Sequence, residues 1–594
     1  MQPIDAVKGN VSPAAEANIA TWLTQPKYAM YQDELRQMIS DERWQELEDA
    51  FFKEVEFGTG GRRGMTGIGS NRLNKVTVGE SAQALCRYAL SVDAEAGKRG
   101  VVIVHDTRLT ADEFTTFAAQ VCAANGFKVY LFDGFRATPE LSFAVRHLQA
   151  AVGVVITASH NPPTDNGFKA YWDDGAQIVP PHDTGVLAEA AKGGEIDTVD
   201  YNEAVAAGTI VVLGNDVDEA YVAAAANEAM GAARDLSIVY SPLHGAGQTN
   251  VIPVLQKAGF SDIRPVDEQM VPDGNFPSIP SGKPNPEEKA ANELAVQKMM
   301  DERADIAITN DPDADRIGVV VRQNNEPVYL NGNQSAALAA DYVLQHMQER
   351  GELTSEHYLA KTIVTTDMLN ALAHGYGVNI YDNMLIGFKY IGELIRNKEG
   401  SSEQFIIGGE ESYGLLKGTY ARDKDGASGA LLLAEYAAEL KEKNLTLYDR
   451  LLQLFAEYGL YVESLVNVQL PGADGFSRMQ GIMQHLRDET PEVLAGYEVT
   501  AVQDYKTLER RDTQTGAATQ IDCINGNVLV FELGDARCRI TVRPSGTEPK
   551  LKLYMQWYET ANAQDIDAVA KQLSEVQSQL AELSTALEAQ ITAL

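Results

Sequence analysis

The sequence predicts an α/β protein of several domains, and three observations predict it. At 594 residues the chain is too long for one core, so about three or four domains are expected. From about residue 100 to residue 458 buried strands alternate with helices, which implies mostly parallel sheets covered on both faces. Beyond about residue 460 the pattern changes to alternating strands at 528–531, 537–542 and 551–556, as in a smaller antiparallel α+β domain.

Each element has its own local cause. Residues 15–56 read as helical, with Trp44, Leu47, Phe51 and Val55 on one face. A glycine-rich loop with two arginines, 57–64, interrupts them, and its backbone N–H groups could approach an anion. Residues 101–104 form a strand, and Thr110 with Glu113 predicts a capping box opening the next helix. Gly126 ends that helix, a strand follows at 129–132, and another helix follows Pro139. A second block runs from the strand 236–240 through a helix at 249–258 and a proline-rich connector, 272–286, to the strand 304–309. A third has a helix at 333–348 and a strand near Ile363. The three blocks are of similar size. The final helix places Ile566, Val569, Leu573, Val576, Leu580, Leu583, Leu587 and Leu594 at 3–4 spacing, interrupted by Gln590. Packing on its own domain and a coiled-coil seam both account for that pattern.

Composition narrows the function. The hydrophobic share of 44% and charged share of 22% are those of a soluble globular protein. A net charge of -35 argues against nucleic-acid and anionic-membrane binding, so an anionic substrate needs a locally cationic pocket. Cys86, Cys122, Cys523 and Cys538 have no CxxC spacing and read as reduced thiols. With no leader pattern and no apolar run of spanning length, a cytoplasmic location is expected.

The chemistry concentrates in loops. The apolar strand ending at Ile156 runs into Thr157-Ala158-Ser159-His160-Asn161, and Pro162-Pro163 bars an immediate helix. Ser159 then sits past the carboxyl end of a buried strand, where open α/β sheets place ligands. His160 and Lys169 bring donors or charge to the same place. Asp311, Asp313 and Asp315 alternate in a loop after another apolar strand, and three such carboxylates suit a hard cation such as Mg²⁺. Glu410-Glu411-Ser412 and the stretch 543–550, rich in phosphate-binding groups, complete the parts that phosphoryl transfer needs.

The motifs TASHNP (157–162), DPDADR (311–316), GEESYG (409–414) and RPSGTEPK (543–550), with FGTGGRRG (57–64), PLHG (242–245) and GFKYIG (387–392), resemble those of the α-D-phosphohexomutase superfamily, the phosphoglucomutase/phosphomannomutase enzymes. They stand in the right order over nearly the whole chain. The resemblance implies three similar mixed α/β domains and a smaller fourth around a central cleft, with boundaries at 1–215, 216–328, 329–458 and 459–594. It implies that Ser159 is a phosphoserine, and that Asp311, Asp313 and Asp315 hold Mg²⁺ together with a phosphoserine oxygen. Glu410 and Ser412 would bind sugar hydroxyls, and Arg543, Ser545, Gly546, Thr547 and Lys550 the phosphate that does not react. Arg63, Lys169, Arg316 and Lys389 would line the cleft, with Lys169 the first choice for proton transfer and His160 and His244 behind it.

The implied reaction is exchange of glucose 1-phosphate and glucose 6-phosphate through a glucose 1,6-bisphosphate intermediate. One departure is that Tyr413-Gly414 stand where phosphomannomutase-type members carry Gly-His. Glucose is thereby favoured over mannose, and phosphopentomutase activity stays open. The rival readings are a bisphosphate synthase or phosphatase on the same scaffold and a non-enzymatic sugar-phosphate sensor. The expected partners are small phosphosugars, with a monomeric or homodimeric state.

Overall fold

The computed structural model describes residues 3–55, 61–471, 474–546, 549–563 and 565–594. The chain divides into two compact units. The first is Met1–Ala229, Ser237–Ile317 and Thr419–Leu431, and the second is Met230–Leu236, Gly318–Gly418 and Leu432–Leu594.

The first unit is built on a six-stranded sheet in the order Gly61–Met65, Asp165–Trp172, Val152–Ile156, Val101–His105, Val129–Leu131, Ile210–Val212. The last four are parallel, and the first two add antiparallel to one edge. Strand periodicity sorts side chains between two cores. Val101 and Ile103 pack with Leu85, Cys86 and Phe127 on one face, and Val102 and Val104 pack with Leu141 and Val145 on the other. Because both faces are covered, the central strands read as continuous apolar runs. The strand Asp165–Trp172 was not expected, since its glycine and polar residues hide the pattern. Gly167 is there for space: a Cβ would stand 2.2 Å from the Thr157 carbonyl oxygen.

Two expectations are corrected here. The N-terminal helix is four segments, Pro13–Thr24, Pro26–Tyr31, Gln32–Ser40 and Trp44–Phe51, folded around Trp22, Leu35, Leu47 and Phe51, and Val55 lies beyond them. The Thr110–Glu113 capping box does not form, because the Thr110 hydroxyl accepts from Asn166 and Glu113 pairs with Lys75.

The first unit also contains the parallel strands Ser237–Ser241, Asp262–Pro265 and Ile306–Thr309. The connector after residue 271 is ordered: Phe276 and Ile279 form a small core with Leu243 and Ala291. His244 turns both ring nitrogens onto it, Nδ1 at 2.8 Å from the Val271 carbonyl and Nε2 at 2.8 Å from the Ser278 hydroxyl. That geometry makes it a pin for the connector.

In the second unit a four-stranded sheet runs Asn379–Met384, His357–Thr362, Gln404–Glu410, Gly414–Lys417. The C-terminal region is an antiparallel sheet centred on Leu460–Gln469, Lys550–Glu559, Asp535–Pro544 and Leu529–Leu533. The helix Ile566–Thr592 lies on the strand Leu460–Gln469 and buries Val569, Leu573, Val576, Leu580, Leu583, Leu587 and Ile591. Its apolar face is therefore used within the unit. Ile591 replaces Leu594, which is exposed, and Gln590 bonds the backbone of Val493 and Ala495. All four cysteines are unbridged. Among the described residues no helix is long and apolar enough to cross a membrane.

Candidate functional site

The first unit brings Ser159, His160, Lys169, Arg63, Arg316 and the three aspartates together. Parallel pairing of Val101–His105 with Val152–Ile156 ends both strands at the same sheet edge, so their loops are neighbours. Ser159 takes a left-handed backbone, φ 53°, which costs a non-glycine residue about 1–2 kcal/mol. The surroundings hold it there. Its N–H donates to Thr157 Oγ1 at 2.8 Å, and that hydroxyl donates to Asp106 Oδ2 at 2.5 Å. Arg108 donates four hydrogen bonds of 2.5–2.8 Å to the carbonyls of Ser159, Asn161, Pro162 and Asp165. Asp106 accepts the Arg108 backbone N–H at 3.0 Å, and Phe276 covers the guanidinium.

So held, the Ser159 hydroxyl donates to Asp311 Oδ2 at 2.6 Å and lies 3.2 Å from His160 Nδ1. Asp311, Asp313 and Asp315 are buried, and one carboxylate oxygen from each lies within 4.8 Å of the others. Burial and the two neighbouring carboxylates push Asp311 well above the usual carboxylate range. Burial opposes ionisation of Asp313 too, but the Lys169 ammonium and hydrogen bonds to its carboxylate outweigh it and hold Asp313 low. Asp313 Oδ1 and Asp315 Oδ1 are buried and accept no hydrogen bond among the described residues. Hard oxygen donors, close together, two of them unsatisfied, fit a hard divalent cation.

Cations surround the trio. Arg63 faces Gly167 across the antiparallel pair, so it shares a sheet face with Lys169 and Tyr171. Burial lowers the Arg63 pKa, and Asp313, Asp315 and Asp165 act to raise it. Lys169 Nζ lies 2.7 Å from Asp313 Oδ2 and 3.8 Å from Asp315 Oδ2. Arg316 pairs with Glu287 at 2.8 Å and stands 3.7–3.9 Å from Asp315 and Asp311.

Sequence reasoning passed over three contributors. Asp106 and Arg108 were legible as an Asp-x-Arg turn at the carboxyl end of a strand, but nothing local says which loop they grip. Lys424 Nζ stands 3.2 Å from Asp315 Oδ2, while its neighbour Asp423 accepts from the buried Tyr171 hydroxyl at 2.7 Å. Only the fold reveals that approach.

The remaining expected residues belong to the second unit. Glu410 is buried at the end of Gln404–Glu410, paired with Gly414 across the turn that carries Ser412. Glu411 accepts from Thr362 and Thr365 at 3.3 and 3.4 Å, which anchors that turn. Gly332 opens the helix Gly332–Glu349, where a Cβ would stand 2.1 Å from the Glu411 carbonyl oxygen, so the turn sits directly on the helix start. Lys389 begins the helix Lys389–Asn397 and is buried. Arg543, Ser545, Gly546 and Lys550 lie at the tip of the hairpin Asp535–Pro544/Lys550–Glu559, where the Ser545 N–H donates to the Lys550 carbonyl at 2.9 Å. Thr547 and residues 57–60 of the glycine-rich loop lie outside the described residues.

The family models for phosphoglucomutase/phosphomannomutase match in four parts: alpha/beta/alpha domain I over residues 54–197, domain II over 219–324, domain III over 331–458, and the C-terminal domain over 465–573. The chain is 35% identical over 518 residues to the phosphoglucomutase of Staphylococcus haemolyticus, covering 86% of this chain and 91% of that protein. It is 33% identical over 537 residues to the phosphoglucomutase of Staphylococcus epidermidis, covering 89% and 95%. The fold is similar to pp63/parafusin, a phosphoglucomutase from Paramecium solved in an open form (TM-score 0.65, 19% identity, 90% of this chain and 95% of that one). It is similar also to a phosphoglucomutase/phosphomannomutase family protein from Burkholderia thailandensis (TM-score 0.61, 18% identity, 89% and 97%).

Proposed function

The chain belongs to the phosphoglucomutase/phosphomannomutase family, and we propose that it interconverts glucose 1-phosphate and glucose 6-phosphate, with Ser159 as the phosphate carrier and glucose 1,6-bisphosphate as the intermediate. The observation that carries the reading is the Ser159 hydroxyl on Asp311, inside a trio of buried carboxylates.

Asp311, Asp313 and Asp315 would hold the cation, Mg²⁺, together with a phosphoserine oxygen. When bound, it supplies neutralisation of the nearly two negative charges of a phosphoserine. The remaining work falls to side chains. Arg63 and Arg316 would face the phosphoryl oxygens, and Lys169 is the first group for proton transfer. The ammonium that pairs with Asp313 gives its proton to the departing serine oxygen, and the amine so formed takes the proton of the attacking sugar hydroxyl, with His160 next to Ser159 as a second acceptor. As the phosphorus–oxygen bond to the sugar forms, the bond to Ser159 breaks, and a proton returns to the serine oxygen. In the return half, the other phosphate of the bisphosphate passes to Ser159. Glu410, Ser412 and Lys389 orient the sugar, and Arg543, Ser545, Gly546, Thr547 and Lys550 grip the phosphate that is not reacting. The four domains, 1–215, 216–328, 329–458 and 459–594, each contribute one such loop.

The 35% identity to curated phosphoglucomutases supports glucose over mannose, glucosamine or ribose phosphates. The test is turnover of glucose 1-phosphate with trace glucose 1,6-bisphosphate, following glucose 6-phosphate and inorganic phosphate together. Stoichiometric glucose 6-phosphate is the expected result, whereas release of inorganic phosphate instead would identify a phosphatase. A kcat/KM comparison across the four sugar phosphates then ranks the substrates, with glucose expected first.

A further inference from the structure

We propose that Thr138, which lies outside every motif loop, is a positioning residue for the aspartate loop: it takes up Asp313 Oδ2 and so leaves Oδ1 as the oxygen offered to the cation. This rests on the divalent-cation reading given above.

Thr138 is fully buried and is the first residue of the helix Thr138–His147. The leading N–H groups of a helix need acceptors, and Ala137 at the cap position has no side-chain oxygen to give. Asp313 fills the need. The Thr138 N–H donates to the Asp313 carbonyl at 2.9 Å, and the Thr138 hydroxyl donates to Asp313 Oδ2 at 2.9 Å. Lys169 donates to the same oxygen at 2.7 Å. With two donors on Oδ2, Oδ1 is left buried without one.

The helix start is itself fixed. Glu140 Oε2 accepts the Ala137 N–H at 2.7 Å and the Thr249 hydroxyl at 3.0 Å, tying it to the helix Gly247–Ala258. From the same side the Ala246 N–H donates to the Pro312 carbonyl at 2.8 Å, so the loop is gripped on two consecutive residues. A lysine ammonium on a flexible stem pairs with either carboxylate oxygen. A short hydroxyl on a helix start whose own N–H also holds the Asp313 carbonyl does not, and that difference assigns the choice of oxygen to Thr138.

The experiment measures Mn²⁺ binding to the purified, sugar-free enzyme by electron paramagnetic resonance, beside Tm in chelator. Thr138→Val keeps the shape and removes the donor, and Thr138→Ser keeps the donor. Loss of an outer hydrogen bond to a metal ligand weakens binding about 10- to 100-fold. That loss is expected for Thr138→Val, with wild-type affinity restored in Thr138→Ser. The Mg²⁺ concentration for half-maximal activity rises in parallel, and KM for glucose 1-phosphate does not. Should the valine variant not fold, Thr138→Ala carries the same comparison. Wild-type protein that binds no Mn²⁺ sinks the metal reading itself. Wild type that binds, with Thr138→Val binding equally well or Thr138→Ser equally badly, overturns the role of Thr138 alone.

Discussion

Ser159 Oγ and Asp311 Oδ2 lie 2.6 Å apart although 152 residues separate them in sequence. The contact joins a nucleophile-bearing loop to a buried acid whose ionisation is opposed by burial and by Asp313 and Asp315. Lys169 pairs with Asp313 and Lys424 with Asp315, so Asp311 is the acid whose buried charge is costly without a divalent cation and useful with one. Asp311→Asn should therefore raise the Tm of the protein in chelator while reducing mutase activity by at least about 100-fold, since one of the few anionic ligands is lost. Thermal melts in chelator and a coupled mutase assay check both halves, and a variant that is both less stable and active contradicts the account.

Arg108 carries a second expectation. Its four bonds to loop carbonyls hold Ser159 at a positive φ, so a shorter cation in its place lets the hydroxyl drift. A displacement of about 1 Å at a reacting atom costs about 100-fold in rate. Arg108→Lys should lower kcat by that order and leave KM for glucose 1-phosphate near wild type, because the proposed sugar and phosphate loops lie elsewhere in the chain. Thr157→Val, which cuts the link from Asp106 to the Ser159 N–H, should do the same. Steady-state kinetics with Tm as the folding control decide the matter.

Glu140 gives a pH dependence with a definite sign. Burial pushes its carboxyl up to about 8; Asp218 adds to the rise, and the Ala137 N–H, Arg136 and the Thr249 hydroxyl oppose it. The folded protein thus keeps a proton that the unfolded chain releases near 4.5. Stability from this group is complete below that lower value and is lost as pH rises through about 8. Glu140→Gln removes the titration, so its Tm relative to wild type should climb between pH 5 and pH 8. A constant difference across that range would show that Glu140 is ionised throughout.

The legible part of this molecule was the part that sequence-local physics controls. Fully buried strands such as Val152–Ile156 and Ile306–Thr309 announce themselves as apolar runs, and the loops after them carry Ser159 and the aspartates in compact motifs. The strand Asp165–Trp172 was missed because Gly167 and Asn166 are dictated by close backbone approach and by a long-range bond to Thr110, neither of which leaves a periodic trace. Thr138 and Lys424 were missed for a related reason. Each acts on an aspartate more than a hundred positions away, and nothing in the neighbourhood of Thr138 distinguishes a ligand-holding threonine from a helix-opening one. The Thr110 capping box failed conversely: its local signal was sound, and tertiary partners claimed both side chains.

The C-terminal helix provides the last test, because its heptad-like spacing suited two different partners. Leu587 is fully buried within the second unit, on the same helix face as Leu580 and Leu583. If that face is a core face, truncating one side chain leaves a cavity in a packed interior, which costs about 2–5 kcal/mol for a leucine. Leu587→Ala should accordingly lower Tm by several degrees at every protein concentration and leave the mass measured by light scattering unchanged. An oligomer seam behaves differently: the variant would dissociate, and its Tm loss would shrink as concentration rises. The Gln590 side chain sharpens the comparison, since its bonds to Val493 and Ala495 lie within the same unit. Gln590→Ala should add a small further loss to Leu587→Ala with the mass again constant.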